Sequence, residues 1–194
     1  MGFLTIAELN RMNFKHIGKN VKVSDKASIY NSENIYLDDN CRIDDFCILS
    51  AGKGGIHVGK YVHIAAFSSL IGAEEIYLDD FSGLSSRVSI YSSSDDYSGE
   101  FMTNPTIPNE FRRVDNRPVY LGKHTIVGAG AIVLPGARLN TGVAIGALSL
   151  ANAKTYEEFS IYAGVPAKKI KTRNNTLLQL ETKLNDALIR NEIS

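Results

Sequence analysis

An aliphatic residue returns at every sixth position through most of this chain, and a small residue follows it four places later. Leu37-Asp-Asp-Asn-Cys41-Arg runs into Ile43-Asp-Asp-Phe-Cys47-Ile and then Leu49. The same pattern starts at Val58 and Ile64, at Leu78 and Leu84, and, after an interruption, at Leu121, Val127, Val133, Leu139 and Ile145. A looser copy begins at Ile17 and Val23. A period of six does not hold one face of a 3.6-residue helix, so a helical reading fails. A repeat this regular points to a solenoid. Each hexad supplies a short strand and a corner, and three hexads bring the chain back above its start. The aliphatic residue points inward, and the small fifth residue lets the chain turn without crowding the stack. Gly, Asp and Asn at the second to fourth places suit corners that need positive φ or a local side-chain hydrogen bond. Neighbouring coils bond at the ordinary strand spacing, so none buries its core alone.

The count is about six coils, starting near Ile17, Leu37, Val58, Leu78, Leu121 and Leu139. The expected fold is therefore all-β, a three-sided parallel β-helix over 17–173. Residues 1–16 form a lead-in with a short helix over 3–12. A loop over 94–118, containing Pro105 and Pro108, breaks the repeat and is expected to project from the prism. Leu177, Leu180, Leu184 and Leu188 are helically spaced. They predict an amphipathic helix over 174–194 that packs on the coil or on a neighbouring subunit. Cys41 and Cys47 both fall at the fifth hexad place, which reads as packing and implies neither a disulfide nor a zinc set.

The 194 residues carry 21 basic and 21 acidic side chains, for a formal net charge of zero. That balance argues against a nucleic-acid binder and against a polybasic membrane-surface protein. No apolar run approaches a membrane span, and the N-terminus lacks the basic flank and long apolar core of a signal peptide, so the expected location is the cytoplasm. The zero is a sum of unlike halves. Residues 1–100 hold 14 acids and 9 bases, whereas 101–194 hold 7 acids and 12 bases. The positive excess gathers around the loop and at Lys168, Lys169, Lys171 and Arg173, a distribution that suits one small polyanion.

The hexads, the interrupting loop and the closing Ile161-Tyr-Ala-Gly-Val-Pro-Ala-Lys-Lys-Ile170 resemble the left-handed β-helix acyltransferases, most of all the galactoside, maltose and surface-polysaccharide sugar O-acetyltransferases. The resemblance implies a left-handed coil and a homotrimer with acetyl-CoA lying in a groove between neighbouring prisms. The acceptor sugar would enter from the side of the loop. It implies acetyl transfer to a sugar hydroxyl, with acetyl-CoA as co-substrate and no metal. By the same match, Ala129, Ala147 and Asn152 fall on CoA contacts, and Lys168 and Lys171 fall near its nucleotide phosphates.

An attacking hydroxyl must lose its proton, and histidine suits that task at neutral pH. In the family the base is a histidine at the start of the loop, and here Asp95 stands in its place. Of the four histidines, His63 is the expected base, with Asp95 or Asp96 orienting its ring. Tyr97, Arg112 and Arg113 are expected acceptor contacts. Two other readings stay open: a nucleotide-sugar N-acetyltransferase of the same fold, whose amine acceptor needs less help from a base, and a non-enzymatic scaffold. A β-helical carbonic anhydrase would need an H-x4-H pair, which the chain lacks.

Overall fold

The computed structural model describes residues 2–193, with side chains through 190. Its short strands stack into three parallel sheets, one per side of a prism. The first face holds seven strands: His16–Ile17, Ile35–Leu37, Ile56–Val58, Ile76–Leu78, Val119–Leu121, Arg138–Leu139 and Thr155–Tyr156. The second runs from Lys22–Val23 through Arg42–Ile43, His63–Ile64, Gly83–Leu84, Ile126–Val127 and Ala144–Ile145 to Ser160–Ala163. The antiparallel strand Lys168–Thr172 closes that face. The third face holds six strands, from Ser28–Tyr30 to Leu150–Ala151.

Register follows the hexads. Leu37 pairs with Val58, Val58 with Leu78, Leu78 with Leu121 and Leu121 with Leu139, so each inward residue sits on its equivalent one coil away. Those side chains are wholly buried, as are Cys41 and Cys47 at the small corner position. Both cysteines are free thiols.

The solenoid makes about seven turns, one more than the six counted along the sequence. In the seventh turn Tyr156 and Tyr162 stand under Leu139 and Ile145, so aromatic rings replace the aliphatic marker. The two rings meet edge-on with centroids 4.8 Å apart, and the Tyr156 hydroxyl donates to Asn152. A ring with its polar tip satisfied ends the core where further stacking stops.

The break in the repeat leaves the prism intact. Ile76 pairs with Val119 across it, in the same parallel register as in the unbroken coils. The intervening chain forms an arm whose base is an antiparallel pair, Ser93–Asp95 with Val114–Asn116. The Arg117 amide donates to the Ser92 carbonyl at 3.1 Å and closes its neck.

Helix α1 (Ile6–Arg11) begins at a capping box in which Thr5 and Glu8 each receive the other's backbone amide, and Leu9 fastens it to the core. Helix α2 (Leu177–Ile193) does not bury the expected stripe on its own coil. Leu180, Leu184 and Leu188 remain exposed, and Glu181 makes the attachment instead, accepting from Lys123 at 2.7 Å and bonding the His124 ring at 2.7 Å. No helix among the described residues is long and apolar enough to cross a membrane.

Candidate active site

The corner edge between the second and third faces carries Ala129 and Ala147, and His63 lies on a strand that leads into it. Its backbone is a continuous column. The Phe67 amide donates to Asp45, Arg87 to Ala66, Gly130 to Ser86 and Leu148 to Ala129, all at 2.9–3.1 Å. Along it the corner pairs read Asp44-Asp45, Ala65-Ala66, Ser85-Ser86, Gly128-Ala129 and Gly146-Ala147. The acidic pair thus lies toward the N-terminal coils and the smallest residues toward the C-terminal ones.

Ala129 and Ala147, both exposed, therefore lie on adjacent coils of one edge. Gly128 is required there: a Cβ on it would come within 2.5 Å of the Ala147 nitrogen. A stretch without side chains leaves backbone donors and acceptors within reach of an extended ligand. Asn152 lies just beyond the Leu150–Ala151 strand, with its carboxamide oxygen taken up by the Tyr156 hydroxyl at 3.2 Å. Lys168 and Lys171 lie on the exposed closing strand. Between them Lys169 is paired with Glu157 at 2.5 Å, which raises its pKa.

His63 opens the strand His63–Ile64, and its side chain is half exposed. The structure does not bring it to Asp95 or Asp96. Its Nε2 lies 2.8 Å from Oδ2 of Asp44, whose Oδ1 accepts from Arg42 Nε at 2.6 Å. The reason is topological. Asp44 sits one coil back on the same edge, whereas Asp95 leaves from the third face on the arm. Burial pushes the Asp44 carboxyl up, but the hydrogen bonds from His63 and Arg42 outweigh it and hold the group below its ordinary value. An ionised Asp44 makes Nε2 the protonated nitrogen and leaves Nδ1 as the free lone pair. His63 borders a shallow concavity with Ala65, Gly83, Ser85, Ser86 and Ile126.

The arm carries a second concavity of about 550 Å³. Asp95, Asp96, Tyr97 and Arg113 line it, together with Asp115 and Asn116. The Asp96 carboxylate accepts the Ser98 hydroxyl at 2.6 Å and its amide at 3.1 Å, and these bonds hold its pKa below the ordinary value. Tyr97 is almost fully exposed. Arg112 turns away to Asn109 Oδ1, at 2.6 Å from Nη2, and does not line this concavity. Among the described residues no group of three or more His, Cys, Asp or Glu side chains is placed to hold a metal ion.

Sequence reasoning missed Asp44, Arg42, Ser85 and Ser86. The signal for Asp44 was the alignment of hexads: Ile43 and Ile64 are equivalent markers on consecutive coils, which sets Asp44 one coil from His63.

No family model matches the chain. It is 46% identical over 182 residues, 94% of each protein, to a dTDP-4-amino-4,6-dideoxy-D-glucose acyltransferase of Escherichia coli. It superposes with a TM-score of 0.92 and 41% identity on AntD, an N-acyltransferase from Bacillus cereus, covering 96% of this chain and all of that one. That structure contains dTDP and coenzyme A and carries an aspartate-to-asparagine change. Other AntD structures hold 3-hydroxybutyryl-CoA, or dTDP-4-amino-4,6-dideoxyglucose with one serine changed to alanine. A proposed lipopolysaccharide biosynthesis O-acetyl transferase of Escherichia coli strain K12 is 37% identical over 83 residues, 43% of this chain and 39% of its own length.

Proposed function

The chain belongs to the left-handed β-helix acyltransferases, and from that premise we propose that it acylates the amino group of a dTDP-linked 4-amino-4,6-dideoxyhexose, with an acyl-CoA as donor. One observation carries the choice of an amine over a hydroxyl. The likeness to the dTDP-amino-sugar acyltransferase runs through 94% of both chains, arm included, whereas the likeness to the O-acetyl transferase covers 43% of this one. The reaction class common to both, acyl transfer to a sugar, does not depend on that choice.

In the proposed reaction the amine nitrogen attacks the thioester carbonyl, the C–S bond breaks, and coenzyme A leaves as the thiol. The nitrogen gives up one proton as the amide forms. The donor arm would lie along the small-residue edge at Ala129 and Ala147, near Asn152, with its phosphates toward Lys168 and Lys171. His63, held by Asp44, would take the proton on Nδ1 and pass it to the departing thiolate. Asp95 and Asp96 would hold the acceptor's amine, and Tyr97 and Arg113 its sugar. The AntD variants alter a serine and an aspartate that are ten positions apart in that protein. Ser85 and Asp95, and equally Ser86 and Asp96, have that spacing here. The arm and the His63 edge would meet across the groove between two subunits of a homotrimer.

The test follows coenzyme A release from acetyl-CoA and 3-hydroxybutyryl-CoA with two acceptors, the dTDP-4-amino sugar and its 4-hydroxy counterpart. The amino sugar is expected to react at least a hundredfold faster. A neutral amine is nucleophilic before it loses its proton, so His63→Ala should slow its acylation by only about tenfold, below the roughly 10²–10⁴-fold usual for a general base. Preference for the hydroxyl acceptor, with a loss of about 10³-fold in His63→Ala, would reinstate O-acetylation.

A further inference from the structure

The fourth hexad residue on the edge between the second and third faces is left-handed in coil after coil. Phe46, Phe67, Arg87, Gly130 and Leu148 have φ of 60°, 63°, 64°, 69° and 55°. All but Gly130 therefore send a side chain out of the prism in a single column, and its N-terminal half is a stack. The Phe46 and Phe67 rings lie 5.0 Å apart at 21°, the Arg87 guanidinium carbon lies 4.7 Å from the centre of Phe67, and Lys26 approaches Phe46 to 5.5 Å. Both rings are about half exposed.

The cations on this edge differ in one respect. Lys26 is paired with Asp45 at 3.2 Å and Arg42 with Asp44 at 2.6 Å. Arg87 has no carboxylate within ion-pair distance among the described residues, although it is exposed and directly follows Ser85 and Ser86 at the His63 concavity. Stacking on Phe67 restrains the guanidinium and leaves its in-plane N–H donors to solvent. A planar fork of donors, restrained and without an acid partner, is built for an anion with paired oxygens.

The donor's phosphates are not the natural ligand. In the proposed function they lie at the closing strand Lys168–Thr172, which is four strands beyond Gly83–Leu84 in the second face. That separation is roughly 19 Å at ~4.8 Å per strand. The other phosphorylated reactant is the acceptor, whose diphosphate is one hexose away from its amine. We propose that Arg87, held by the Phe46–Phe67 stack, binds the diphosphate of the nucleotide-linked acceptor and so selects nucleotide sugars over free ones. The proposal rests on the reading that the acceptor is a dTDP-sugar.

Calorimetry with dTDP and, separately, with coenzyme A tests it on the wild type, Arg87→Gln, Arg87→Lys and Phe67→Leu, each first checked for an unchanged thermal melt. Wild type should bind dTDP. Arg87→Gln should weaken dTDP binding at least tenfold and leave coenzyme A within twofold. Arg87→Lys should recover part of the loss, because it restores the charge without the fork. In turnover, Phe67→Leu should raise KM for the dTDP-sugar several-fold at unchanged kcat. Undiminished dTDP binding by Arg87→Gln, or a loss confined to coenzyme A, overturns the role of Arg87 and leaves the acceptor class standing. A wild type that acylates a free amino sugar but binds no dTDP overturns both.

Discussion

The His63 ring has one nitrogen committed to Asp44 and one open to the concavity beside Ser85 and Ser86. In the proposed reaction Asp44 would act through His63 as a positioning residue, keeping the basic lone pair on Nδ1 and favouring the cation formed when the ring takes a proton. Asp44→Asn should lower kcat roughly tenfold with KM for both substrates unchanged, measured by steady-state kinetics. A KM effect alone would mean that Asp44 only supports the fold. The two cysteines behave oppositely to reactive thiols. Burial, helped by the charge of Asp38, pushes Cys41 up to about 12, and burial also raises Cys47. A thiol reagent at pH 8 should modify neither in the folded protein and both in denaturant. At this scale the sequence was an uneven guide. The fifth hexad place identified the cysteines as packing residues, but the partner of His63 depended on how two consecutive coils align. Coil length is not constant, because the corners at 31–34 and 52–55 hold extra residues.

At the scale of elements, short strands lock together because every inward residue has an equivalent above and below it. Ile64 lies between Ile43 and Leu84 with no exposure. Ile64→Ala should cost about 2–5 kcal/mol, read by denaturant titration. Helix α2 is held differently. Burial pushes Glu181 up, but hydrogen bonds from Lys123 and His124 prevail and its carboxyl titrates below its ordinary value. Lys123 titrates above its own, chiefly through the hydrogen bond it donates to Glu181. A lowered acid stabilises the docked helix above its unfolded pKa and loses that contribution as pH falls through the folded value. A raised base contributes below its unfolded pKa and loses that as pH rises through the folded one. Hydrogen-exchange protection factors of α2, corrected for the intrinsic pH dependence of amide exchange, should therefore be greatest between those limits, and Glu181→Gln should remove the acid-side dependence while sparing the prism. Hexad periodicity made the prism legible and helical spacing located α2. The closing turn was hidden because Tyr156 and Tyr162 occupy places that the aliphatic pattern marks elsewhere.

For the whole molecule, the decisive arrangement is the separation of the His63 edge from the arm that carries Asp95 and Asp96. If neighbouring subunits join them, mixed assemblies will reveal it. His63→Ala and Asp95→Asn variants, each impaired, should regain part of the wild-type rate when refolded together, because some interfaces then pair an intact edge with an intact arm. No recovery would mean that each chain completes its own site.

The register that carries Ile76 onto Val119 has a consequence for how such a chain can diversify. Across the arm the coils keep the register of an uninterrupted stack; the Ala73 amide ties the arm's base to the coil below through Ser93 Oγ at 2.7 Å, and the neck closes at Ser92 and Arg117. The arm behaves as a graft on a fixed stem. A version trimmed to a short link from Ser92 to Val119 should melt within a few degrees of the parent and keep its grip on coenzyme A, while losing the sugar acceptor. Exchanging this one segment between relatives would then rewrite which sugar is decorated without re-solving how the chain folds.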